Sequence, residues 1–164
     1  MQKHWYLLAL PLLAACSGND SDESGNPGDS DTTVIASTPL SGKINGKEWT
    51  FQSGQTDAFL SDGDPNFWTA LYAETFPACE GIPDHQEPEL ILNIPRQAGT
   101  YRLSLALNAT FAFERGTESE NLVATKGKLV VDEVTSTQIR AGAFVEYDAN
   151  NSVNGQFQVS VCAD

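Results

Sequence analysis

The chain has 164 residues and a formal net charge of −13, from 22 acids against 9 bases. That length suits one domain with extensions. The acid excess argues against nucleic acid and against electrostatic binding to anionic lipid as partners, since both select Lys and Arg clustered on one face.

At the amino end Lys3 leads into an apolar stretch from Trp5 to Leu13, interrupted only by Pro11. A bilayer takes about 20 apolar residues as a helix, so this shorter run reads as a secretory signal over residues 1–15. It closes on Leu13-Ala14-Ala15-Cys16, which resembles the lipobox of bacterial lipoproteins. The resemblance implies cleavage before Cys16 and acylation of its thiol and new amino group. The alternative is an ordinary secretory signal cut at the same Ala pair, leaving Cys16 a free thiol. Several acyl chains on one cysteine would anchor the chain firmly, whereas one chain alone anchors marginally. Ser17 rather than Asp follows Cys16. In lipoproteins that this chain resembles, that choice implies sorting to the outer membrane, with the leaflet open. The acidic run "SDES" from Ser21 to Ser24 loosely resembles surface-export signals of some bacterial lipoproteins.

From Cys16 to Ala36 the chain is mainly Ser, Gly, Asp, Asn and Thr and buries too little to offset its ordering entropy. Five acids and no base (Asp20, Asp22, Glu23, Asp29, Asp31) fall in this stretch, and like charges extend a tether. Residues 37–164 then form a single domain. Setting aside the five linker acids and Lys3 leaves it 17 acids against 8 bases, nine excess negative charges.

Within the domain, period-2 alternation recurs between turn signals and helical periodicity is missing, which predicts half-buried strands. Asn45-Gly46 between "LSGKI" and "KEWTFQ" supplies the positive φ angles of a two-residue hairpin, with Trp49 and Phe51 on one face. "SDGDPN" sets Asp62, Asp64 and Asn66 at alternate positions, as oxygen ligands stand in calcium loops. Ala73 occupies the twelfth place where a bidentate Glu is expected, and the same residues build ordinary β-turns. Calcium is the cofactor this pattern suggests, and an ordinary turn with no cofactor is the reading the residues favour. "FWTALYAE" places Trp68 and Tyr72 on one strand face opposite Phe67 and Leu71. These two are the chosen ligand-stacking candidates among Trp49, Trp68, Tyr72, Tyr101 and Tyr147, because Trp and Tyr combine a large apolar face with a polar handle.

The loop "TFPACEGIPDHQEPE" holds Cys79 and His85, the latter beside Asp84, Glu87 and Glu89. A lone histidine among surface acids has no zinc-motif spacing, so the loop reads as solvated. Alternation continues with Leu90, Leu92 and Ile94, then Tyr101, Leu103 and Leu105, then Phe111 and Phe113. It resumes with Ile139, Ala141, Ala143, Val145 and Tyr147, and finally Phe157, Val159 and Val161. Lys126-Gly127 and Asn154-Gly155 are read as further turns. Both "FWTALYAE" and "GKLVVDEV" alternate poorly, as strands covered on both faces do. The expected fold is all-β: an antiparallel β-sandwich, with a lipocalin-like β-barrel as the alternative.

With Cys16 assigned to lipid, Cys79 and Cys162 remain as an even pair in a compartment that permits disulfides. By parity Cys162 lies opposite Phe157, Val159 and Val161, so the bridge is expected to clip the long loop "TFPACEGIPDHQEPE" over the outside of the last strand and shield a sheet edge.

The domain's opening "LSGKINGKEWTF" and its close "GQFQVSVC" resemble a pattern in small Gram-negative lipoproteins of unknown function. The matching residues are Gly42, Ile44, Asn45, Gly46, Lys47, Trp49 and Phe51 at the front, and Gly155, Phe157 and Cys162 at the back. The resemblance implies a β domain in the cell envelope and supplies no catalytic residue. No G-x-S-x-G elbow is present. The expected function is that of a lipid-anchored binding or interaction module for a small molecule, glycan or protein. The alternatives are an accessory structural lipoprotein, or a hydrolase assembled from acids such as Glu118, Glu120 and Asp148.

Overall fold

A computed structural model describes residues 33–80 and 88–163. The signal stretch, Cys16, the linker up to residue 32, and Asp84, His85 and Glu87 lie outside the described residues.

The described residues form an eleven-stranded sheet and one helical turn. In order these are β1 (Ser41–Ile44), β2 (Lys47–Thr50), β3 (Ser53–Thr56), α1 (Ala58–Ser61), β4 (Asn66–Tyr72), β5 (Glu89–Pro95), β6 (Gly99–Arg102), β7 (Ala109–Arg115), β8 (Glu118–Ala124), β9 (Lys126–Val134), β10 (Gln138–Asp148) and β11 (Asn151–Ser160). Strand order along the sheet is β6-β9-β10-β11-β3-β4-β5-β7-β8, with the β1–β2 hairpin branching from β11. The all-β class expected from the sequence holds, and the sheet curls into a half-barrel with β8 passing close to β10.

Alternating side chains of this curled sheet make one core. Ile44, Leu90, Leu92, Ile94, Phe111, Leu129, Ile139 and Val145 are all fully enclosed, each worth about 1.5–3 kcal/mol relative to exposure. Trp49 is buried with them and donates its indole N–H to the Pro88 carbonyl at 2.9 Å, so it is a core residue. The poor alternation of "FWTALYAE" is also explained: β4 lies between β3 and β5, and its last four residues are buried whichever face they take.

Four local expectations are corrected. Leu105 is 85% exposed, because β6 ends at Arg102 and the chain turns away, with Ser104 N–H donating to the Leu107 carbonyl. Lys126-Gly127 and Asn154-Gly155 lie inside β9 and β11 and are not turns. At Gly155 the reason is space: φ is 147°, and an added Cβ would stand 2.6 Å from the Pro39 carbonyl oxygen. The glycine admits the incoming segment, whose Leu40 N–H donates to the Gln156 carbonyl at 2.8 Å. Just upstream the Asn154 side chain receives the Ala36 N–H at 2.9 Å and donates to the Val34 carbonyl at 3.1 Å. Residues 34–36, assigned to the linker by composition, are therefore held against β11.

Finally, β11 is not an edge, since β10 flanks one side and β1 and β3 the other. Its junction with β3 is the thinnest in the sheet: a parallel pairing of Ser160 with Gln55 alone. The Cys79–Cys162 disulfide closes at this seam, with Cα atoms 5.3 Å apart. Cys162 N–H donates to Thr56 Oγ1 at 2.9 Å, and Cys79 N–H to Gln55 Oε1 at 2.7 Å. The bridge lies outside the core, as parity indicated, but it staples two halves of the sheet rather than guarding an edge.

Candidate functional site

Three two-residue hairpins supply the material for a cleft. They join Ile44 to Lys47, Arg115 to Glu118, and Asp148 to Asn151. The first takes the left-handed conformation that Asn45-Gly46 encodes, with φ of 53° and 73°. It is fastened to the third: Gly46 N–H donates to the Asn150 carbonyl at 2.9 Å and Asn45 N–H to Asn151 Oδ1 at 2.8 Å. Asn151 in turn donates from Nδ2 to Asp148 Oδ1, which also receives the Asn150 N–H, both at 2.9 Å. The first and third turns are thus tied to one another by hydrogen bonds.

Between these hairpins opens a cleft of about 360 Å³, in the size range of small-ligand sites. Leu122 contributes apolar lining, and Arg115 and Glu120 form an ion pair across the β7–β8 hairpin at 3.1 Å. Tyr147 and Asp148 face the cleft from the end of β10. Ile139, Ala141, Ala143 and Val145 point into the core, and Tyr147 follows them at the end of β10, where the core gives way to the cleft. The ladder slips between Glu146 and Asp148, which leaves Tyr147 without a paired partner on β11. Tyr147 ends 51% exposed.

The residues singled out in the sequence are distributed otherwise. Trp68 and Tyr72 share a face of β4, as parity required, but neither lines this cleft. Tyr72 is 2% exposed and packs edge-on to Phe76 with ring centroids 5.0 Å apart. Burial, reinforced by the neighbouring carboxylate of Glu89, to which it is hydrogen-bonded, raises its hydroxyl well above the ordinary tyrosine value. Trp68 is half-buried, its backbone N–H donating to Ser61 Oγ at 3.0 Å. Tyr101 donates its hydroxyl to the Gln97 carbonyl at 2.9 Å.

Asp62, Asp64 and Asn66 gather around a tight turn after α1. There Asp64 Oδ1 receives the Asn66 N–H at 2.8 Å, and Arg96 Nε donates to the Asp64 carbonyl at 2.9 Å. Among the described residues no three or more His, Cys, Asp or Glu side chains are grouped to hold a metal ion. Of the three acids named for hydrolysis, Glu120 and Asp148 line the hairpin cleft and Glu118 does not. A second cleft of about 290 Å³ lies by α1 and the β9–β10 turn, where Arg96 stacks over Phe67 at 4.0 Å.

Sequence reasoning named Asn45, Gly46, Glu120, Tyr147 and Asp148 for separate reasons and missed that they converge. Arg115, Asn150 and Asn151 were not singled out. The legible signals were the hairpin dipeptide and a tyrosine closing a core-facing alternation next to an Asp-Ala-Asn-Asn turn.

Comparison with known families, with characterised proteins and with solved structures finds no match to this chain. The functional reading therefore rests on the cleft and the sequence alone.

Proposed function

We propose that this chain is a lipid-anchored protein of the bacterial envelope whose β domain captures a ligand in the hairpin cleft. The observation that carries the binding half is a cleft lined by Tyr147, half exposed and unpaired in the β10–β11 ladder, and braced by the hydrogen bonds of Asn45 N–H to Asn151 and of Asn151 to Asp148. Binding sites concentrate on loops held by a rigid scaffold, where bulges re-aim single side chains. The lipobox at Cys16 supports the anchored half, and the acidic stretch that follows suits display of the domain away from the lipid.

The hydrolase reading is weaker because Glu120 is already paired with Arg115 and the residues lining the cleft include no Ser, Thr, Cys or His. The accessory structural reading asks for a broad apolar face. The exposed large apolar side chains among the described residues are few: Val34, Phe59, Leu60, Leu105, Val123 and Tyr147.

The test has two arms. The full chain, expressed in a Gram-negative host, is expected to enter the membrane fraction with an acylated Cys16, and Cys16→Ser to be released. An unmodified cysteine on the mature wild-type protein would overturn the anchored half. For the binding half, the isotopically labelled domain is titrated with polyols, diamines, carboxylates and aromatic fragments while amide shifts are followed. Shifts gathered on Asn45, Arg115, Tyr147 and Asn150 support the site; no shifts there with any of these classes refutes it.

A further inference from the structure

The charge and shape of the cleft narrow its ligand, an inference that rests on the cleft being the binding site. Arg115 and Glu120 neutralise one another at 3.1 Å, which leaves Asp148 as the net charge of the lining, on a domain already carrying nine excess negative charges. An anionic ligand meets that field and is repelled. A cationic amine only donates, so it meets Asp148 Oδ2 but leaves the side-chain amide N–H groups of Asn45 and Asn150 without an acceptor. A purely apolar ligand finds only Leu122 and the Tyr147 ring among mostly polar neighbours.

What the lining does offer is a set of planar polar groups around one exposed ring. The Asp148 Oδ1 atom is taken by Asn150 N–H and Asn151 Nδ2, and Oδ2 has no protein partner among the described residues. The Asn45 and Asn150 amides and the Arg115–Glu120 pair add donors and acceptors around it. Each hydroxyl of a polyol both donates and accepts, so adjacent hydroxyls satisfy carboxylate and amide groups of this kind in pairs. Half of Tyr147 faces solvent, giving a flat apolar surface for the C–H face of a ring, with its hydroxyl as a further partner.

We infer that the hairpin cleft binds a neutral carbohydrate, with one pyranose ring lying on Tyr147 and vicinal hydroxyls bonded to Asp148 and the neighbouring amides. Tyr147 stands outside the strand ladder, so replacing it spares the core.

The experiment is a titration of the folded wild-type domain with neutral hexose oligosaccharides, and with matched oligosaccharides carrying a uronic acid, by calorimetry and amide shifts. Neutral sugars are expected to bind and to shift the Tyr147 and Asn150 resonances. Uronate-containing sugars are expected to bind at least about tenfold more weakly at low salt. Tyr147→Ala is expected to lose about tenfold in affinity with an unchanged melting temperature, and Tyr147→Phe to stay within about threefold of wild type. Equal affinity for the uronate sugars, or full binding by Tyr147→Ala, overturns the inference. If amines or apolar fragments shift the cleft and neutral sugars do not, the carbohydrate assignment falls while the cleft stands. If nothing shifts it, both fall.

Discussion

Removing the disulfide should reveal how thin the seam between β11 and β3 is. The bridge joins residues 83 apart and closes β5 to β11 into one loop. On the chain-entropy treatment, opening a loop of that size restores roughly 15 cal/mol/K to the unfolded chain, about 4.5 kcal/mol at 25 °C. A partial offset comes from Cys79, held at φ 66° in the left-handed region, where a side chain costs about 1–2 kcal/mol that a freed backbone can relieve. Cys79 is exposed and Cys162 half-buried, so packing losses on substitution are small. The net expectation for Cys79→Ser/Cys162→Ser is therefore a loss of about 3 kcal/mol. In urea, with a slope near 1.5 kcal/mol/M, that moves the unfolding midpoint down by roughly 2 M. Wild-type protein with the bridge reduced should behave in the same way. Amide exchange adds a spatial check: protection at Gln55 and Ser160, the single parallel pair, should fall before that of the β10–β11 ladder. A stability loss below about 1 kcal/mol, or uniform loss of protection, would refute the argument that the bridge holds a weak junction.

Two further substitutions probe the fold. Gly155→Ala places a methyl group against the Pro39 and Thr38 carbonyl oxygens at a φ of 147°; we expect a cost of about 2–4 kcal/mol by thermal unfolding, with overpacking and backbone strain acting together. Exchange at Ala36 and Leu40 should rise in step, because both N–H groups are bonded to β11 residues. Tyr72 gives a pH signature. Burial and the nearby Glu89 raise its folded pKa above the unfolded value near 10. Its contribution is therefore fully present below about pH 10 and is lost as pH climbs from there toward the folded value. Urea midpoints should drop more steeply above about pH 10 in wild type than in Tyr72→Phe. Parallel slopes for the two proteins would show that Tyr72 ionises as easily in the fold as out of it.

Much of the architecture is written locally in the amino-acid order. Alternation placed Leu90, Leu92 and Ile94, or Phe157 and Val159, on the core side because a strand's side chains alternate whatever it pairs with. Asn45-Gly46 specified its hairpin because few residue pairs accept two positive φ angles. The cysteine pair was legible because only two candidates remained. Leu105 misled, since its alternation continued past the point where the strand ends. Gly155 misled because a glycine next to Asn signals a turn, while the close approach of Pro39 that requires it comes from far along the chain.

The ligand site belongs to the other category. Residues near 45, 115 and 148 meet only because three hairpins end together on one curled sheet, and no local pattern encodes that meeting. The slip after Glu146, which leaves Tyr147 unpaired at the cleft, likewise arises where β10 and β11 meet at their turn. Sequence fixes which way side chains alternate, for that is a property of one strand. Which distant turns share a pocket is a property of the assembled sheet.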